Sequence, residues 1–409
     1  MTPALAFWIV GALSLQPEFG LGADYSSQRY ATYSLDTLPN DTSAIETEGR
    51  SFLGLSLSLD SNPTELNGEN TCYLSTSSLR NQLNLDLGHQ LTSTLRLETG
   101  YETELRLYHH AFPNLSDTNY RKNYWNNTGN LDIKLQPADN LTLSIGDGVE
   151  SQRYFQPDSF NYNYLSNRIR TSLSVMAGLS TSLDAGYDWT NRWAAANDSN
   201  NYADHALRTG LSQSLDPGFE LRLDNNLTRR VYPDPKRSYW DENPQGSIRR
   251  DFGLAATLSL EDDIRWTWFD SPTEVSTNEL QNRLNLNLEL NPTPLFSFRF
   301  GPEHQFRRGL DTTATGDYTE LAFLAGLDIM NPGRIWLSIE DRLGRRTYAP
   351  AESIFQSSYR FNELDLMLNW TIIGGLSLDA MASIAPEWHA DKTDNLAATI
   401  LSLELKYRP

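Results

Sequence analysis

Charge recurs at every second position along several stretches of this chain. Arg96, Glu98, Glu102 and Arg106 form one row, and Asp184, Asp188 and Arg192 form another. Arg222 and Arg230, Arg283, Arg307, and then Glu340, Arg342 and Arg346 continue the pattern. Guanidinium and carboxylate groups at that spacing suit ion pairing, or the attraction of polar solutes to a wetted wall. Bond-breaking chemistry asks for something else: a nucleophile beside a base, or a set of metal ligands. The histidines are His89, His109, His110, His205, His304 and His389, and none stands at Ser–His–acid or metal-ligand spacing. There is no G-x-S-x-G, H-E-x-x-H or phosphate-loop motif. The single cysteine, Cys72, allows neither an intrachain disulfide nor a cysteine metal site. No catalytic role, no metal and no cofactor are expected.

The elements that carry these rows repeat with period two. Leu83, Leu85 and Leu87 alternate with Gln82, Asn84 and Asp86; Leu131, Ile133 and Leu135 alternate with Asp132 and Lys134. Leu284, Leu286, Leu288 and Leu290 alternate with Arg283, Asn285, Asn287 and Glu289, and Leu364, Leu366 and Leu368 with Asp365 and Met367. Period two is the mark of a strand with one apolar and one polar face, and no helical stripe competes with it. Two architectures use such strands. A soluble sandwich turns the leucines inward; a transmembrane barrel turns them outward and keeps the charge in a wet lumen. So many ionised groups are too costly for a dry core, which favours the barrel. Composition agrees: hydrophobic residues are only 39% of the 409, yet the chain holds 10 Trp and 19 Tyr. Past the N-terminus no run of about 18 apolar residues offers a membrane helix. A formal net charge of −19 repels nucleic acid, so no nucleic-acid partner is expected.

Punctuation sets the topology. Tight breaks are expected at Gly88-His89, Pro137 to Asn140, Gly178, Asp216-Pro217-Gly218, Glu261 to Asp263, Asn291 to Pro294, Asn331-Pro332-Gly333 and Gly374-Gly375. Longer polar loops fall between them, around Asn114, Pro157, Asn197, Asp234, Pro272, Asp311, Pro350 and Asp391. Strand, long loop, strand, short turn is the rhythm of a single all-β, up-and-down antiparallel transmembrane barrel. Counted from Ser51 it has about 18 strands, within a range of about 16 to 20. Ala4 to Leu15 is an apolar core of signal-peptide length, with cleavage expected near Gly22 or Ala23. Residues 1–23 are therefore expected as a signal peptide and 51–409 as the barrel. The polar stretch 24–50 reads as a periplasmic arm, a lumen plug or an extra strand.

Just before the long loops, at the strand tops, arginine recurs, often doubled and followed by an aromatic. Neighbouring arginines in a strand point to opposite faces, so Arg229, Arg308 and Arg345 are expected outward at the outer rim. Arg230, Arg307 and Arg346 are then expected inward. The outward set suits lipid anchoring and bidentate contact with lipopolysaccharide phosphate.

On this strand–turn pattern the chain resembles bacterial outer-membrane β-barrels of porin-like architecture, over about residues 51 to 409. The resemblance makes Leu401, Leu403, Leu405 and Tyr407 the C-terminal assembly signal, although Arg408 and Pro409 follow the aromatic residue. It implies residence in the bacterial outer membrane, reached through the periplasm. It also implies contact with lipopolysaccharide and with the barrel assembly machinery. The expected function is a channel passing polar solutes through a hydrated, mixed-charge lumen. The alternatives are export of an exopolysaccharide, a closed structural or adhesion barrel, and a rim-sited hydrolase.

Overall fold

The computed structural model describes residues 12–407 except 35–36, 62, 76–77, 109–122, 158–161, 196–197, 217, 274–275, 312–315, 350–356 and 390–394; for 12–50, 60, 61 and 216 it describes the backbone alone. The strands are β1 Ala12–Ser34, β2 Thr37–Ser61, β3 Thr64–Ser75, β4 Ser78–Thr92, β5 Leu95–Tyr108, β6 Tyr124–Ala138, β7 Leu141–Tyr154, β8 Tyr164–Ala177, β9 Thr181–Ala194 and β10 Tyr202–Asp216. They continue with β11 Phe219–Val231, β12 Tyr239–Asp251, β13 Ala256–Phe269, β14 Glu279–Thr293, β15 Phe296–Gly309, β16 Tyr318–Asn331, β17 Ile335–Tyr348, β18 Tyr359–Ile373, β19 Leu376–His389 and β20 Leu396–Tyr407.

Each strand pairs antiparallel with the next. β20 pairs back with β1, from Phe19 opposite Tyr407 to Arg29 opposite Ala397. The ring therefore closes, and no strand is left with a bare edge. Counted from Ser51, where β2 is already running, there are 19 strands, one more than the 18 expected, and with β1 the total of 20 stands at the upper end of the expected range. β1 and the first part of β2, up to Arg50, come from the segment expected outside the barrel. The described backbone of residues 24–34 and 37–50 pairs between β1 and β2. Residues 1–11 of the expected signal lie outside the described residues, and 12–23 pair in β1.

Register keeps the two faces apart around the ring. Leu97 lies opposite Ile133, Ile133 opposite Ile145, Leu260 opposite Leu286 and Leu366 opposite Ala382. Leu131, Ile145, Leu258, Leu288 and Leu403 all stand exposed. A leucine surface of this extent exceeds what a water-facing monomer presents, and it suits acyl chains. The expected assembly-signal residues Leu401, Leu403, Leu405 and Tyr407 belong to it. From β3 to β20 the strands hold 12 to 15 residues. That is more than the roughly 9 to 11 a tilted strand needs to cross a bilayer, so their ends rise beyond it.

Short turns sit at one end of the barrel. Gly178 (φ 76°) and Gly333 (φ 74°) occupy the left-handed region that glycine tolerates. Two expected breaks are strand instead. Gly88-His89 lies within β4; a Cβ at Gly88 would stand 2.4 Å from Arg96 Nη2, so this glycine makes room for a neighbour's side chain. Glu261 to Asp263 lies within β13, where Asn282 and Asn243 hydrogen-bond Asp262 and Asp263 across the strands. The turn there is 252–255, with Gly253 at φ 71°. The eight expected loops all fall between strands at the other end. The connections 35–36 and 76–77 at that end are only two residues long.

One inner-wall glycine meets backbone directly. A Cβ at Gly301 would lie 1.8 Å from the carbonyl oxygen of Leu286, next to Pro302 in β15. Gly129 has open space at the same test. Gly301→Ala is expected to cost about 1–3 kcal/mol or more from overpacking. It should reduce the fraction that runs as folded barrel in unheated SDS gels, while Gly129→Ala should leave that fraction unchanged.

Candidate functional site

The face opposite the leucines carries the charge. Cross-strand register places Arg96, Glu98, Glu102, Arg106, Asp184, Asp188, Arg192, Arg222, Arg230, Arg283, Arg307, Glu340, Arg342 and Arg346 all on it. A cavity of about 1020 Å³ is bounded by residues from β2 to β11, among them Ser56, Gln82, Glu102, Arg168, Asp188 and Arg230. Strands so far apart in the ring share a space only inside it, so this charged face is the interior wall.

The wall has two parts. From β2 to β11 it is open, and most of its pairs are wet. Arg96 bridges Glu65 (2.8 Å) and Glu98 (2.9 Å), and Lys134 reaches the other oxygen of Glu98 (2.6 Å). Glu102 accepts from Gln82, and the Arg106 guanidinium lies 5.1 Å from the Tyr108 ring. Asp188, 7% exposed in its side chain, is held by Arg168 (2.8 Å) and Arg208, whose own side chains are about half exposed. Arg192 stacks 3.5 Å from the centre of the Tyr164 ring. Arg230 grips Asp204 with two bonds of 2.7 and 2.6 Å. Arg222 bonds Asp224 at 2.6 Å in the open, and Asp184 has no ion pair among the described residues.

From β14 to β18 the wall is latched. Glu303 joins Arg283 (2.7 Å) to Arg342, and Arg342 also reaches Glu320 and Glu363. Glu320 passes the chain on to Arg346 at 2.6 Å and is itself 1% exposed. Arg307 closes on Glu279, and Arg299 on Glu340 at 3.4 Å. Phe361 packs on Gly344, where a Cβ would stand 2.4 Å from its ring, and Arg342 lies over the same ring at 4.8 Å. Sequence reasoning placed Arg283, Arg307, Glu340, Arg342 and Arg346 on the inner face but missed their carboxylate partners Glu279, Glu303 and Glu320. It could not tell wet pairs from dry ones, because that depends on which neighbours come within reach across the ladder.

The outer face holds a second pattern, which sequence reasoning missed. Just below the loop end, seven hairpins carry an outward pair of hydrogen-bonded polar side chains: Asn70–Asn81, Tyr101–Asn127, Asp147–Asn167, Tyr187–His205, Asn225–Glu242, Asp262–Asn282 and Asp341–Asn362. The second member is always the fourth residue of its strand. That recurring asparagine was the available signal. Each pair joins its two members by a hydrogen bond, which lowers the cost of standing against lipid. One residue pair higher come Trp125, Trp240 and Trp388, cross-strand from Arg153, Arg229 and Arg360. Of the expected rim set, Arg229 is already engaged: it forks onto Asp270 at 2.7 and 2.6 Å and lies 5.2 Å from the Trp240 ring. In the loop just past β13, the Arg229 guanidinium holds the Asp270 carboxyl below the usual carboxylate range. Arg308 and Arg345 point outward, exposed.

His109 and His110 lie outside the described residues. His389 hydrogen-bonds Ser357 at 2.5 Å and meets Glu387 at 3.4 Å, with its ring 4.9 Å from that of Tyr359. The Ser–His link is there, but the His–acid contact is long, and the ring is packed as a strut between loop and strand. Among the described residues no group of His, Cys, Asp and Glu is arranged to hold a metal ion.

The latched and wet pairs should respond differently to truncation. Glu320→Ala takes from Arg346 its carboxylate partner and from Arg342 one of three, in a buried site, and is expected to cost about 3–5 kcal/mol. Arg222→Ala breaks an exposed pair and should cost less than about 1 kcal/mol. Urea unfolding of the refolded barrel in lipid vesicles measures both.

A family model described as surface lipoprotein assembly modifier matches residues 79–270, a little under half of the chain. No curated protein is matched by sequence. Among solved structures, the barrel is similar to the alcaligin outer-membrane receptor FauA of Bordetella pertussis. The TM-score is 0.60 at 12% identity, over 96% of this chain and 76% of that one. It is similar to the siderophore receptor PirA of Acinetobacter baumannii, with TM-score 0.61 at 8% identity over 95% and 80% of the two chains. It is also similar to OccAB2 of Acinetobacter baumannii, with TM-score 0.52 at 12% identity over 97% and 98%. Closed ladder, outward leucines, charged interior and these shared folds lead to one conclusion: the chain is a bacterial outer-membrane β-barrel of porin-like architecture.

Proposed function

We propose that this barrel is a transport channel whose cargo is a polar segment of a lipoprotein bound for the cell surface. One observation carries the reading. The match to the surface lipoprotein assembly modifier family runs from residue 79 to 270, which is β4 to β13. The open interior cavity lies along much of the same arc, β2 to β11. A polar chain passing there meets both signs of charge and several aromatic rings, so it can slide past many weak contacts without lodging at one. The latched β14–β18 wall holds the barrel's shape while the other side takes the cargo. The mixed wall also favours a second reading, passive diffusion of small polar solutes.

Two measurements separate these readings. The refolded protein should open steady conductance in planar bilayers. In a Cys72→Ser background, Gln82→Cys on the interior wall should lose conductance when a bulky maleimide is attached. Leu85→Cys, on the leucine face, should not. In the source bacterium, removing the gene should cost at least one acylated protein its accessibility to added protease, and the wild-type gene should restore it. Unchanged lipoprotein exposure together with open conductance would leave the solute channel and end the lipoprotein reading.

Export through a signal within residues 1–23 belongs to the same proposal. The protein recovered from outer membranes should begin near Asp24, leaving β1 to pair with β20 from Asp24–Ser402 to Arg29–Ala397. N-terminal sequencing reads this directly, and a start upstream of the apolar core would refute it.

A further inference from the structure

We infer that Arg345 and Arg360 form a binding site for a phosphate group of an outer-leaflet lipid headgroup. The two residues lie directly opposite each other in the β17–β18 ladder, both on the leucine face and both exposed. Like charges in direct cross-strand register repel. The other arginine pair in direct register among the described residues, Arg80 and Arg106 on the inner face, has the Glu104 carboxylate bonded to Arg80 at 2.8 Å. Among the described residues neither Arg345 nor Arg360 has an ion pair. Two guanidinium forks side by side offer parallel donors to one phosphate, which would turn the repulsion into a clamp.

Depth and surroundings point to a lipid as the source. The pair stands just above the Asp341–Asn362 member of the outward polar belt, and Trp388 lies opposite Arg360. This is the level at which aromatic residues meet headgroups in such barrels. Below and beside it the wall is apolar and open: Leu321, directly opposite Arg345, is 62% exposed, and Phe323 and Leu343 are 51% and 57% exposed. A charged clamp over an apolar strip matches a phosphorylated headgroup with acyl chains beneath it. Register picks out this pair from the rim arginines. Arg229 already has its carboxylate, and Arg308 has no arginine across from it.

The test uses the full barrel purified in mild detergent, with lipid A carrying its phosphates, dephosphorylated lipid A and inorganic phosphate as probes. Binding is read by native mass spectrometry and by the shift in melting temperature. Phosphorylated lipid A should bind wild type, and the double variant Arg345→Gln/Arg360→Gln should bind it at least about tenfold more weakly, the loss of one charge-assisted clamp. Arg229→Gln should keep wild-type affinity. Equal binding by the double variant, or equal binding of dephosphorylated lipid A to wild type, would overturn the site. A shift as large with inorganic phosphate alone would show an anion site with no lipid preference and overturn the lipid assignment. Should the double variant fail to assemble, the comparison of the two lipids on wild type decides by itself.

Discussion

A backbone amide inside a bilayer has no water to bond, so it must find its partner within the protein. That requirement shapes everything else in this molecule. It forces the ladder to close, with β20 returning to β1. Closure in turn creates an inside and an outside, and strand alternation sorts side chains between them. Leucine on one face and arginine on the other are both consequences of a hydrogen-bonding rule that neither side chain takes part in.

Once there is an interior, its charge has two outcomes. Where neighbouring strands bring several carboxylates to one guanidinium, as Glu303, Glu320 and Glu363 come to Arg342, water is expelled and the wall stiffens. Where side chains are shorter and glycines interrupt them, as at Gly100 and Gly148, space remains and ions pair in solvent. The stiff wall and the wet wall lie on different sides of one ring.

Much of this was legible in the residues, because period two is a local property. The charged face, the leucine face, the eight loops and a strand number within the expected range of about 16 to 20 follow from it. The failures have a common physical source. Gly88 and the Glu261–Asp263 run looked like turns because flexibility and charge usually mark turns. In this barrel they serve neighbours across the ladder: Gly88 clears a path for Arg96, and Asp262 accepts from Asn282. β1 and the part of β2 before Ser51 were harder to read, since their paired backbone runs through a polar stretch with weak alternation. The rim arginines could be assigned a face from sequence, but not a partner. Register alone sets Arg360 against Arg345 and gives Arg229 its Asp270.

The belt of outward polar pairs has a mechanical meaning. Because the mark recurs at the fourth residue of strand after strand, vertical position is written separately into each hairpin and is not fixed by the ends of the barrel. A ring so marked resists tilting as well as sliding, since leaning would sink the pairs on one flank into oil while lifting those on the other. A load applied to one flank of the barrel would therefore meet a wall that stays level.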